Sequence, residues 1–222
     1  MRIPLETRLL QGNQTIASQN RELFRRHSLL VLNLVSSPGA GKTTFLERWI
    51  SQAKAHLRIG VIEGDVATTL DAERIAACGV PAVQINTHGA CHLDAGMVAR
   101  AAGQFDLAAL DCLVVENVGN LVCPAEFDLG ESLRVTLLST AEGADKPAKY
   151  PASFRHADAV LLTKTDLLPV VPFDLQCFQA SVGRLNPDVP VFHISAVTGE
   201  GLDQWTDWLR GQLSALSDEG SG

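Results

Sequence analysis

A chain of 222 residues with 46% hydrophobic composition is long enough to bury the core of a single α/β domain. Its 18 Lys+Arg against 25 Asp+Glu give a formal charge of −7, which argues against the basic face that nucleic-acid binding needs. No apolar run approaches the roughly 20 residues of a membrane helix, and the N-terminal segment carries charges without an apolar signal core, so a cytoplasmic protein with no membrane association is expected.

The first predicted element is a short amphipathic helix over 16–24, within an N-terminal arm over 1–28. A P-loop domain over 29–216 follows, and 217–222 reads as a disordered tail. Within the domain, apolar runs at 29–35, 58–62, 82–85, 112–115, 134–139, 159–163 and 191–194 read as strands. Helical spacing over 42–54, 71–78, 93–102, 173–185 and 202–216 alternates with them. This is the pattern of an α/β P-loop NTPase: a mostly parallel central sheet with helices on both faces. The stretch 117–131, with Gly119, Pro124 and Gly130, is expected to be a loop, and loops that long are usually functional.

The segment 36–43, Ser-Ser-Pro-Gly-Ala-Gly-Lys-Thr, leaves the first of these strands and opens a helix. Backbone N–H groups of Gly39, Ala40 and Gly41 can turn around phosphate oxygens, with Thr44 in the helix just beyond. Lys42 offers its ammonium to the β- and γ-phosphates, and the Thr43 hydroxyl suits Mg²⁺. Ser36 stands where the usual pattern has its first glycine.

Thr163-Lys164-Thr165-Asp166 and Ser195-Ala196 end two later strands and so face the same crevice. The pair resembles guanine-reading motifs. Asp166 can accept from the ring N1–H and the exocyclic amine, the Lys164 stem can pack over the base, and the Ala196 N–H can meet the guanine oxygen. Thr163 takes the place of the usual asparagine, and with it an amide that ties the base pocket together is expected to be lost. Asp65 and Glu116 also end strands. Both are candidates to assist Mg²⁺ and the attacking water, and Gly119 is a candidate sensor of the γ-phosphate.

Cys91-His92 and Cys123 form a possible site for Zn²⁺, or for Ni²⁺ if the geometry flattens, with three protein ligands leaving a position open for transfer. Buried packing of the same cysteines is the alternative, since free cysteine behaves as a small hydrophobe. The odd count of five cysteines without a CxxC pair fits a reducing compartment. Cys78, Cys112 and Cys177 are expected to pack, and His88 is a candidate accessory ligand.

Taken together, the motifs NLVSSPGAGKT (33–43), VIEGD (61–65), CHLDA (91–95), VENVGNLVCP (115–124) and DKP (145–147) give the chain a close resemblance to the hydrogenase nickel-incorporation GTPase family, HypB. The resemblance accounts for Ser36, which begins the loop in family members. It implies GTP hydrolysis to GDP with Mg²⁺, and a metal site for Ni²⁺ or Zn²⁺ at Cys91, His92 and Cys123 near a dimer interface. It also implies a GTP-dependent homodimer, a small nickel metallochaperone partner and a [NiFe]-hydrogenase large-subunit precursor as recipient, with Lys146 or Lys149 reaching across the dimer. Departures are the missing N-terminal cysteine cluster and histidine-rich stretch, His88 in place of a glycine, and Thr163. Rival readings are a metallocentre GTPase serving urease or a cobalamin enzyme, a P-loop phosphotransferase, and a metal-binding module with vestigial nucleotide.

Overall fold

Aliphatic residues fill both faces of the strands, as covering layers on either side of a parallel sheet require. The computed structural model describes residues 5–65 and 70–219. In chain order the elements are α1 (Leu5–Arg26), β1 (Leu30–Ser36), α2 (Lys42–Ala53), β2 (Ile59–Asp65), α3 (Leu70–Ala77), β3 (Ala82–Asn86), α4 (Ala95–Ala102), β4 (Cys112–Glu116) and α5 (Cys123–Glu126). They continue with β5 (Leu133–Ser139), α6 (Lys146–Lys149), α7 (Pro151–Arg155), β6 (Ala159–Thr163), α8 (Leu175–Leu185), β7 (Val191–Ile194) and α9 (Leu202–Glu219).

The sheet is seven-stranded in the order β3-β2-β4-β1-β5-β6-β7, and its pairings are all parallel. β1 lies between β4 and β5, so the chain leaves β1 where the winding direction reverses, and a crevice opens there beyond the carboxyl ends of the strands. Alternate side chains feed opposite cores. Leu30, Leu32 and Leu34 of β1 join Phe45 and Trp49 of α2 and Trp205 of α9 on one face. Val31 of β1 and Leu113 of β4 meet Phe24 of α1 and Val98 of α4 on the other, where Val160 and Leu162 of β6 also pack on Phe178 of α8.

Several boundaries differ from the sequence expectation for identifiable reasons. β2 runs to Asp65 rather than 62 because Glu63 pairs in register with Glu116 of β4, and Asp65 with Asn86 of β3. The charged residues are therefore strand residues. The expected loop over 117–131 contains the short helix α5, with Pro124 in its first turn, where a missing N–H costs nothing. Helices α6 and α7 also carry a proline in the first turn and were not expected. α1 is much longer than 16–24, and α9 continues to Glu219, while 1–4 of the expected arm and 220–222 of the expected tail lie outside the described residues. Cys112 is buried as expected, but Cys177 is exposed on α8. Among the described residues, no helix is long and apolar enough to cross a membrane.

α1 is fastened to the domain by buried amides. Asn13 Nδ2 donates to the Asp128 carbonyl at 2.7 Å, while its Oδ1 accepts from Ala95 N at 2.8 Å. Asn20 Nδ2 lies 2.9 Å from both the Ala95 and the Leu129 carbonyl oxygens. Gly130 allows the close approach: its φ is 86°, and a Cβ there would stand 2.5 Å from the Ala17 carbonyl oxygen.

Candidate functional site

The turn between β1 and α2 needs left-handed backbone at Gly39 (φ 75°) and Gly41 (φ 88°), which glycine adopts without steric cost. It wraps the mouth of a crevice of about 470 Å³ lined by Gly39, Gly41, Lys42, Thr43, Thr44, Glu63, Asp65, Glu116, Gly119 and Lys164, among others. Lys42 is buried, and its Nζ donates to Ser36 Oγ at 2.8 Å. Burial holds its pKa below the ordinary lysine range, against the opposing pull of Glu116. The Thr43 hydroxyl donates to Glu116 Oε1 at 2.8 Å.

Two carboxylates meet at this floor. Glu63 and Glu116 are register partners on adjacent strands, 2% and 4% exposed, and each keeps an Oε2 without a hydrogen-bond partner. Burial, reinforced by the charges of Glu116, Asp65 and Asp71, pushes Glu63 up to about 8, and burial likewise raises Glu116. Such a pair beside a phosphate loop is a seat for a divalent cation or a retained proton. Gly119 rests on the phosphate loop so closely that a Cβ would stand 2.9 Å from Pro38 Cα.

The ends of β6 and β7 approach from the other side. Thr163 Oγ1 donates to the Ala40 carbonyl at 2.6 Å, so this hydroxyl supplies the tie that the missing asparagine was expected to remove. Lys164 has a φ of 57° and its Nζ donates to the Gly39 carbonyl at 2.8 Å, laying its stem across the loop. Ser195 Oγ donates to Asp166 Oδ1 at 2.7 Å and fixes that carboxylate. Ala196 follows, half-buried.

A second cluster joins the segment between β3 and α4 to the start of α5. Cys91, His92 and Cys123 present ligand atoms all within 4.8 Å of one another. Cys91 Sγ is 3.0 Å from Cys123 Sγ and 3.7 Å from His92 Nδ1. The Phe127 ring lies over the imidazole with centroids 3.8 Å apart. Burial lowers the His92 pKa, which favours the neutral ring that a metal needs, and contact with Cys91 raises the thiol of Cys123. Asn120 Nδ2 donates to the Cys91 carbonyl at 3.3 Å, joining the two loops. His88 lies outside the cluster, and its φ of 50° explains why a glycine is at ease there.

Residues 30–193 match the family CobW/HypB/UreG, nucleotide-binding domain. The chain is 51% identical over 213 residues to the hydrogenase maturation factor HypB of Azotobacter chroococcum mcd 1, covering 96% of this chain and 70% of that protein. The chain belongs to the HypB family. HypB of Escherichia coli (strain K12) is 49% identical, with 96% of this chain and 73% of that protein covered. The crystal structure of HypB from Helicobacter pylori in complex with nickel superposes with a TM-score of 0.88 at 38% identity, covering 92% of this chain and 96% of that one.

Family membership makes the chain a P-loop GTPase, and the α/β fold expected from sequence stands, with the sheet parallel throughout. Within this HypB chain, sequence reasoning passed over Glu63. It saw Glu63 only as part of VIEGD, ending the strand one residue too early to place a carboxylate opposite Glu116. A signal was available: a strand whose last residues are acidic, beside another that also ends in Glu, crowds carboxylates at one sheet edge. Lys146 and Lys149 take partners within the chain, Lys146 near Glu142 and over the Tyr150 ring, Lys149 on Asp145.

Proposed function

We propose that this HypB family GTPase uses the presence of GTP or GDP to control capture and release of Ni²⁺ at Cys91, His92 and Cys123, for delivery to a [NiFe]-hydrogenase large-subunit precursor. The observation that carries this reading is a single connected segment. At one end Glu116 and Gly119 bear on the phosphate loop, and four residues beyond Gly119 Cys123 faces Cys91. A nucleotide that repositions the first end moves the second.

Gly39, Ala40, Gly41 and Thr44 enclose the phosphates in this reading, and Lys42 exchanges Ser36 for the β- and γ-oxygens. Thr43, Glu116 and Asp65 hold Mg²⁺, and the unpartnered oxygens of Glu63 and Glu116 suit that role. When bound, the ion neutralises charge on the transferring phosphoryl group. Asp65 orients the attacking water and the Gly119 N–H detects the γ-phosphate. Asp166, held by Ser195, reads the guanine N1–H and amine, Ala196 meets its oxygen, and Lys164 covers the ring with Thr163 anchoring the strand end.

Two thiolates and an imidazole leave a coordination position open, which suits a cargo ion. The nickel complex of the Helicobacter pylori relative favours Ni²⁺ over Zn²⁺ as that cargo. Cys91 is exposed, and Val122 beside Cys123 is 52% exposed, so a GTP-dependent second copy or a small nickel metallochaperone has access to the ion. Titrating Ni²⁺ into wild type and Cys123→Ala with a GTP analogue, GDP or no nucleotide, with mass measured in solution, tests the reading. Equal Ni²⁺ affinity in all nucleotide states, or indifference to guanine nucleotides, overturns it.

A further inference from the structure

Between the phosphate loop and the Cys91–His92 pair lies one buried amide that neither chemistry uses. Asn117, 1% exposed, follows Glu116 directly. Its Oδ1 accepts from Leu93 N at 3.1 Å and from Val118 N at 3.0 Å, and its Nδ2 donates to Asn33 Oδ1 at 3.2 Å. Asn33 is itself fixed, since its Nδ2 donates to Glu131 Oε1 at 3.1 Å. The backbone N of Asn117 donates to the Leu34 carbonyl of β1 at 3.1 Å.

Leu93 is the residue after His92, and it is held from a second direction. Its fully buried side chain packs beneath Gly64, where a Cβ would come within 2.8 Å of Leu93 Cδ1. Gly64 separates Glu63 from Asp65, both lining the nucleotide crevice. Leu93 therefore touches the two strand ends that flank the phosphates, and its own backbone continues into the metal-ligand pair. Buried side chains packed this tightly shift together between discrete arrangements rather than yielding gradually.

We infer that Asn117 is a positioning residue that transmits nucleotide state to the metal site through Leu93, alongside the route along the chain to Cys123. This rests on the proposed coupling of nucleotide to Ni²⁺. A displacement of the 116–119 segment by a γ-phosphate moves the Asn117 amide, and with it the Leu93 N–H and the orientation of His92. Coupling is the ratio of Ni²⁺ dissociation constants with GTP analogue and with GDP, and reciprocity requires the same ratio when nucleotide is titrated with and without Ni²⁺.

The experiment measures that ratio in wild type, Asn117→Ala and Asn117→Asp, with thermal melts as a check on folding. Wild type is expected to show a ratio of about tenfold or more, within the usual range of coupled sites. Asn117→Ala should bring it to within about twofold, and Asn117→Asp, which keeps an oxygen facing Leu93 N, should restore most of it. A ratio in Asn117→Ala equal to that of wild type overturns the inference and leaves the functional reading standing. A wild-type ratio of one removes both.

If Asn117→Ala does not fold, amide hydrogen exchange on metal-free wild type decides. Exchange at Leu93 should differ between GTP-analogue and GDP states. Identical protection at Leu93 in the two states overturns the inference without any substitution.

Discussion

Thr163 Oγ1 lies 2.6 Å from the carbonyl oxygen of Ala40, joining the end of β6 to the middle of the phosphate loop. Thr163→Val keeps the shape and removes the donor, leaving a buried carbonyl unpaired at a cost of about 1–3 kcal/mol. GTP affinity should fall by about tenfold, with Thr163→Ser close to wild type. Equal affinity in Thr163→Val would show that the loop holds its form without this bond.

Gly119 offers a steric test. A Cβ there stands 2.9 Å from Pro38 Cα, a contact with backbone that no rotamer relieves. Gly119→Ala should cost about 1–3 kcal/mol in thermal or denaturant unfolding and lower nucleotide affinity in the same variant. Gly12→Ala, at a helical position with open space around it, is the control and should be neutral or slightly stabilising.

Glu63 makes stability depend on pH. Its pKa is raised in the folded protein from 4.5 to about 8, so the folded state holds this proton more tightly than the unfolded chain does. Its contribution is complete below pH 4.5 and is lost as pH rises toward 8. Without nucleotide and with chelator present, Glu63→Gln should therefore gain more over wild type at pH 8 than at pH 5, by on the order of 1 kcal/mol or more. Melting curves at both pH values check this. An equal offset at the two would show that Glu63 does not carry the dependence.

Phe127 tests the support of the metal cluster. Its ring covers His92 at 3.8 Å without offering a ligand atom. Phe127→Ala should weaken Ni²⁺ binding by about tenfold, in the range typical of groups that orient ligands, with GDP affinity unchanged. His92→Ala removes one of the three proposed ligands and should weaken it further. Competition with a chromogenic chelator measures both.

Much of this arrangement was legible in the amino-acid string because its signals are local. Gly41-Lys42-Thr43 after an apolar run specifies strand, turn and helix within a few residues, and Thr163 to Asp166 does the same for the end of β6 that meets the phosphate loop. Cys91 and His92 are adjacent, and the residue types already group Cys123 with them, although packing of the same cysteines stays open until the family resemblance is drawn. What stayed hidden depends on pairing across the sheet. Glu63 falls just beyond the expected strand 58–62, and its meaning appears only when β2 lies in register with β4. The Asn117 amide meets Leu93 across 24 residues, and Asn13 reaches Asp128 across 115, separations at which no periodicity or motif operates. Pro124 reads as part of a loop, although a proline in a first turn is compatible with helix, as α5, α6 and α7 show.

The amides of Asn13 and Asn20 make α1 part of the unit that must fold. The family match begins at residue 30, after α1 has ended, and stops at 193, before α9 begins. Yet Phe24 fills one side of the sheet and Trp205 the other. A fragment trimmed to the matched span would strip both flanks and strand the polar groups of Ala95, Asp128 and Leu129 that α1 satisfies. Anyone shortening this chain for crystallography or for a sensor should keep both terminal helices, because the span of the nucleotide-binding family match is narrower than the span that holds the fold together.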